Sequence, residues 1–248
     1  MATEPPGNGL VTGQRLLIPA YFYPRGTQWR KMCDALDERG IEAVIVMNPA
    51  SGPGVAADPA YRSVLDDCRS RHQTVIGYVD TDYRRRKPSL VRADIERFYE
   101  LYPGIEGIFL DQVSNEPARS VKSHYRKLYR SIKERRPGAL VVANPGVPAL
   151  TPWQVRGGGI ADVLCVCEMP AAEYAAWAPP AWVTERDASG FAHLVYGTAG
   201  AGETASVCVA SAGRNAGWIY ATPGVMPNPW DRPPVPEMYA WPGLGRRG

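Results

Sequence analysis

Two acids, Asp111 and Glu168, each stand at the end of a short apolar run, Ile105 to Leu110 in one case and Val163 to Cys167 in the other. A carboxylate at the tip of a buried run is costly for a core, because it loses its hydration without gaining a partner. It suits a site, because ligands of parallel α/β folds sit at the carboxyl ends of the strands. Two carboxylates on one rim can divide the work of breaking a glycosidic bond: one protonates the leaving oxygen, the other acts as nucleophile or base. Along a strand, side chains alternate. Asp111 therefore shares a face with Phe109, and Glu168 shares one with Leu164 and Val166, while Cys165 and Cys167 point the other way. Both carboxylates are expected over one opening. Capping a helix or pairing with an arginine would explain one such acid, and explains two less well.

Other apolar runs also end in polar residues. Their tips carry Tyr21 and Tyr23, Asn48, Tyr78 with Asp80 and Asp82, Asn144, Tyr196, and Tyr220 with Thr222. Tyrosine faces suit sugar rings, and amides and acids hydrogen-bond hydroxyls, so these, Thr222 apart, are the expected substrate-binding residues. No strand end carries lysine, which argues against a Schiff-base aldolase. His72, His124 and His193 fall on a helix end, a helix and a strand start, so no metal site or Ser–His triad is expected. The stretch Gly197 to Glu203 lacks the GxxxxGK[ST] pattern and a nearby lysine, and reads as a turn rather than a phosphate cradle. Neither a cofactor nor a metal is expected.

Eight strand-like runs position these residues: Leu16 to Tyr21, Ala43 to Asn48, Thr74 to Val79, Ile105 to Gln112, Leu140 to Asn144, Asp162 to Glu168, His193 to Gly197, and Gly217 to Thr222. Helical patterns separate most of them, from about Thr27 to Arg39, Pro59 to Arg71, Ser89 to Leu101, Ala118 to Arg136 and Gly202 to Ala212, with a short helix near Trp153. In the fourth of these, Tyr125, Leu128, Tyr129 and Ile132 form an apolar stripe with basic residues outside it, the pattern of an outer barrel helix. Strict alternation predicts an α/β fold with a parallel sheet, and eight units predict closure into a (β/α)8 TIM-type barrel. An open doubly wound sheet fits less well, since no GxGxxG follows the first strand. Residues 1–14 read as a flexible leader, 15–222 as the barrel, and 223–248 as a Pro- and Trp-rich tail. That tail is expected to pack on the barrel as an irregular strap without a helix, with Trp230 and Trp241 as core cover.

The composition fits this reading. Of 248 residues 45% are hydrophobic and 21% charged, enough to build a sizeable core. A net charge of +3 is too small to argue for nucleic acid, and the run Arg84 to Lys87 reads as a solvated loop. Five cysteines, at 33, 68, 165, 167 and 208, make an odd count without close pairs, so no disulfide framework is expected. No run is long enough to span a membrane. The first 14 residues hold no apolar export segment, so the chain reads as cytoplasmic as written, or secreted if a leader has been removed. A monomer is expected.

Four ordered motifs carry a resemblance: Ile18-Pro19-Ala20-Tyr21-Phe22-Tyr23-Pro24, Asn48-Pro49-Ala50-Ser51-Gly52-Pro53-Gly54, Gly77-Tyr78-Val79-Asp80-Thr81-Asp82-Tyr83, and Gly107-Ile108-Phe109-Leu110-Asp111. Together they resemble the spherulin-4 (spherulation-specific family 4) proteins over roughly Leu16 to Thr222. That family is classed with glycoside hydrolase family 135, (β/α)8 barrels that cleave α-1,4-linked N-acetylgalactosamine stretches of galactosaminogalactan from within. It is also similar to the hydrolase domain that acts on the Pel polysaccharide. The resemblance implies a polysaccharide substrate, with Asp111 and Glu168 matching the strand-four aspartate and strand-six glutamate. It also brings a departure. The family often has Asp-Glu at strand four, and here the second position is Gln112, which cannot exchange a proton and is left as a hydrogen-bond donor to substrate. An acetamide of the substrate could supply the nucleophile instead. Gln112 supports an alternative of another class, a glycan-binding barrel that has lost turnover.

Overall fold

A computed structural model describes residues 10–146 and 159–247 of the chain; the helix expected near Trp153 lies outside the described residues. Among the described residues eight strands are present: β1 (Arg15–Ala20), β2 (Ala43–Met47), β3 (Thr74–Asp80), β4 (Gly107–Asp111), β5 (Leu140–Ala143), β6 (Val163–Pro170), β7 (Phe191–Tyr196) and β8 (Trp218–Thr222). They close in sequence order into one barrel, every neighbour parallel, with β8 pairing back onto β1. The expected (β/α)8 barrel is the fold of this chain. The strands are near-continuous apolar runs because each is covered on both faces, by the barrel interior and by outer helices.

The outer layer includes α1 (Gln28–Glu38), α2 (Pro59–Ser70), α3 (Pro88–Leu101), α4 (Arg119–Arg135) and α7 (Ala201–Gly213), with two single-turn helices, α5 (Ala171–Tyr174) and α6 (Ala181–Thr184), after β6. The start of α2 shows why a helix begins there. Asp58 accepts from the Ala60 N–H at 2.8 Å, and Pro59 at the first position brings a preset φ and no orphan donor. On α4, Val121, Tyr125, Leu128 and Ile132 are buried under the basic outer face.

Two packing details decide which side chains enter the barrel. A Cβ on Gly77 would lie 2.7 Å from the Phe98 ring of α3, so that position faces outward and its neighbour Tyr78 faces inward. Tyr78 pairs with Phe109, Asp80 with Asp111, and Phe109 with Val142, which carries the inward set round to β5 and on to Asn144. On β6 simple alternation fails. Cys165 pairs with Ala192 and Cys167 with His193, so two residues of β7 face three of β6, and Val166 is the extra residue of a β-bulge. The bulge corrects the expected parity. Cys167 pairs with His193, whose ring packs outward against Tyr174 and Trp177. Cys165 lies within the field of Asp111 and Glu168. The two cysteines therefore face opposite ways, and Glu168 points inward because of the bulge, not because it matches Leu164 and Val166.

Three further expectations are corrected. Cys33 on α1 and Cys68 on α2 form a disulfide across a separation of 35 residues. Consecutive outer helices are neighbours around a barrel, so residues far apart in sequence meet there. Cys165, Cys167 and Cys208 are free and buried. Alkylation of the unfolded, unreduced chain is expected to label three thiols, and five after reduction; five in both states would remove the disulfide. The tail contains a helix, α8 (Pro236–Ala240), whose Met238 is fully buried beside Cys208. Gln14, assigned above to the leader, is also buried. Its amide donates to Ser211 and to the Ala216 carbonyl and accepts from the Trp241 indole, tying the chain start to α7 and the tail.

Candidate functional site

At the carboxyl end of the barrel the inward set gathers Asp111, Asn144 and Glu168 around one amide. The Nδ2 of Asn144 donates to Asp111 Oδ1 at 2.9 Å and to Glu168 Oε2 at 2.6 Å. The two carboxylate oxygens are thus no farther apart than those two distances laid end to end, and each amide hydrogen has its own acceptor. The Tyr78 hydroxyl donates to Asp111 Oδ2 at 2.8 Å, and its ring stands edge-on to Tyr21. The Gln112 backbone N–H also donates to the Asp111 carboxyl.

The two acids differ in how well they are served. Burial pushes the Glu168 carboxyl up to about 7; the Asn144 hydrogen bond opposes this and the Asp111 charge adds to it. Burial also holds Asp111 above the usual carboxylate range, although donations from Tyr78, the Gln112 backbone and Asn144 offset part of the rise. A carboxyl that titrates near neutrality can give and take a proton, while one held by three donors is fitted to carry negative charge.

Beside the pair opens a cleft of about 530 Å³, walled by Tyr21, Asn48, Tyr78, Glu168, the Pro49-Ala50-Ser51 loop and the segment Met226 to Trp230. Asn48 stiffens the first loop, its side chain accepting from the Gly52 N–H at 3.0 Å. Tyr196 sits at the rim within the field of Glu168 and meets Trp230 edge-on. Asp80 also stays at the rim, where it accepts from the Asp82 N–H and acts on Asp111 through its charge.

Three of the expected binding residues are not brought to the cleft. Tyr23 leans outward, its hydroxyl on Asp58 and its ring against Tyr61 of α2. Asp82 turns away into an ion pair with Arg85 at 2.6 Å. Tyr220 is fully buried inside the barrel as a core ring below Trp230. Gln112 is at the site, but its backbone does the visible work. It adopts a left-handed φ of 50°, and its carbonyl accepts from the Tyr83 N–H and from Thr81. Sequence reasoning took Trp230 only for cover, and nothing in the tail's pattern pointed it at the cleft.

Among the described residues no three His, Cys, Asp or Glu side chains could jointly hold a metal ion, and no helix is long and apolar enough to cross a membrane.

Fold and site together define a (β/α)8 barrel with paired buried carboxylates at its carboxyl rim. The spherulation-specific family 4 model matches residues 15–236, and the chain belongs to that family. Spherulin-4 of Physarum polycephalum is 34% identical over 133 residues, which is 53% of this chain and 39% of that protein, so the match spans well under half of the relative's length. The crystal structure of Aspergillus clavatus Sph3 in complex with GalNAc superposes with a TM-score of 0.74 at 19% identity, over 93% of this chain and 96% of that one. A cyclic α-maltosyl-(1→6)-maltose hydrolase from Arthrobacter globiformis shares the barrel at a TM-score of 0.53 and 11% identity, covering 94% of this chain and 74% of its own. The fold is one that glycoside hydrolases of known structure use.

Proposed function

We propose that this chain is an endo-acting glycoside hydrolase that cleaves hexosamine-containing polysaccharide of the α-1,4-N-acetylgalactosamine and galactosamine type. The observation that carries the reading is the shared Asn144 amide. It keeps one oxygen of Asp111 and one of Glu168 no farther apart than those two hydrogen bonds allow, which favours a retaining pair, with carboxyl groups about 5–5.5 Å apart, over the about 6.5–9.5 Å that leaves room for an inverting water. Asp111 is the nucleophile or charge stabiliser and Glu168 the acid/base. Protonated Glu168 gives its proton to the leaving oxygen as Asp111 meets the anomeric carbon. The resulting carboxylate then takes a proton from the water that releases the sugar. Bound N-acetylgalactosamine in the Sph3 structure supports an amino-sugar ligand for this cleft. The disulfide between Cys33 and Cys68 favours an oxidising compartment, and hence secretion.

The test is reducing-end release from galactosaminogalactan and from Pel. Release with retained anomeric configuration supports the reading; inverted product would break the retaining mechanism. Retention of the polymer on immobilised protein without release would favour the binding barrel that Gln112 suggests. A pH profile adds a second check. Glu168 must start protonated and titrates at about 7, so kcat/KM is expected to fall about tenfold per unit above that pH. A profile flat to pH 9 would remove Glu168 as the acid.

A further inference from the structure

We propose that Tyr83 is a sugar-stacking platform beside the carboxylate pair, displayed by a left-handed turn that holds its ring across the end of β4. The inference rests on the glycan reading and adds a specificity-determining residue to it. Asp82, Tyr83 and Arg84 have φ values of 45°, 50° and 74°. Three consecutive residues other than glycine in this region are unfavourable, because each Cβ crowds the backbone, and such conformations persist where surrounding contacts impose them.

The imposing contacts are visible. The Asp82 N–H donates to the Asp80 side chain at 2.7 Å, and the Tyr83 N–H to the Gln112 carbonyl at 2.7 Å. The Arg84 N–H donates to the Thr81 carbonyl at 2.9 Å, and Arg85 clasps Asp82. Gln112 is itself left-handed and follows Asp111 directly.

From this anchor beyond β3 the side chain reaches the segment that follows β5. The Tyr83 hydroxyl lies 3.6 Å from where a Cβ on Gly146 would stand, two residues past Asn144. Since β4 lies between β3 and β5, the ring spans the tip that bears Asp111. The bonds above hold the backbone of the turn, while the residue itself stays 43% exposed, leaving ring surface open to a ligand. The Arg85 guanidinium lies over the ring at 5.6 Å and is itself largely exposed, so it can move aside. Tyr196 and Trp230 stand on the far side of the mouth, near β7 and β8. A glycan laid between these aromatic groups passes over Asp111 and Glu168, with a sugar face on the Tyr83 ring.

The experiment is calorimetric titration of galactosamine-containing oligosaccharides into Glu168→Gln, with and without a second change at position 83. Tyr83→Gly removes the ring and eases the left-handed turn, so the melting temperature should not fall. Affinity is expected to drop about tenfold, the loss of one aromatic contact. Tyr83→Phe should bind like the parent. Equal affinity in the glycine variant would overturn the platform. So would an equal drop in the phenylalanine variant, because the hydroxyl contact near Gly146, not the ring, would then matter. If the Glu168→Gln parent binds no oligosaccharide, the glycan reading fails and takes this inference with it.

Discussion

Glu168→Gln is expected to slow polymer cleavage by about 10²–10⁴-fold, the usual contribution of a positioned general acid, and Asp111→Asn by about 10⁴-fold or more. The two losses should differ in kind. An aryl glycoside departs as a stabilised phenolate and needs little help from an acid, so Glu168→Gln should retain much of its activity on such a substrate. Asp111→Asn should stay inactive on it, because attack at the anomeric carbon is impaired whatever leaves. Both substitutions keep an acceptor oxygen for the Asn144 amide that bridges the pair, so the loss cannot be assigned to collapse of the site. Measuring kcat/KM for both variants on polymer and aryl substrate is the check. Full activity of both on polymer would sink the mechanism; a reversed pattern would exchange the two roles.

The barrel was legible in the sequence because its signal is repeated. Eight apolar runs with helices between most of them specify a closed parallel sheet even when a single boundary is misplaced. The carboxylates were legible for a related reason, since a charge at the end of a buried run is anomalous by itself. The route from Glu168 to the mouth was not. Alternation alone placed it with Leu164 and Val166, and only the extra residue at Val166, set by pairing with β7, turns Cys165 inward and Cys167 outward. The disulfide escaped for a similar reason, because Cys33 and Cys68 meet through the packing of α1 on α2 rather than by spacing. The errors among the tyrosines follow one pattern. Tyr23 and Tyr220 lie close to strand ends, and whether such a ring leans outward or fills the core depends on loop dihedrals and neighbouring strands. Gln112 was weighed as a lost acid, yet what the fold uses is its left-handed backbone, with the N–H on Asp111 and the carbonyl on Tyr83 and Thr81.

Removing the acid should also make the protein more stable, in a pH window fixed by Glu168 itself. Its folded-state value of about 7 stands above the ordinary 4.5, so the folded protein binds this proton more tightly than the unfolded chain. Below about pH 4.5 both states hold the proton and the group costs nothing. Between 4.5 and 7 the unfolded chain releases it first, and stability falls as pH rises. Above 7 the folded protein carries a buried carboxylate whose hydration is lost and whose neighbour Asp111 repels it. The gap amounts to about 3 kcal/mol at pH 8. Glutamine keeps the shape and the acceptor for Asn144 without the charge, so Glu168→Gln is expected to exceed the wild type by about that amount in denaturant unfolding at pH 8. The advantage should shrink on acidification and vanish near pH 4.5. Such a trade of stability for function is common where a site holds a group in an unfavourable state. A variant no more stable than wild type at pH 8 would mean that Glu168 is solvated or better paired than its burial implies, and would remove the physical basis for its role as the acid. An advantage unchanged down to pH 4.5 would place the gain in packing rather than charge.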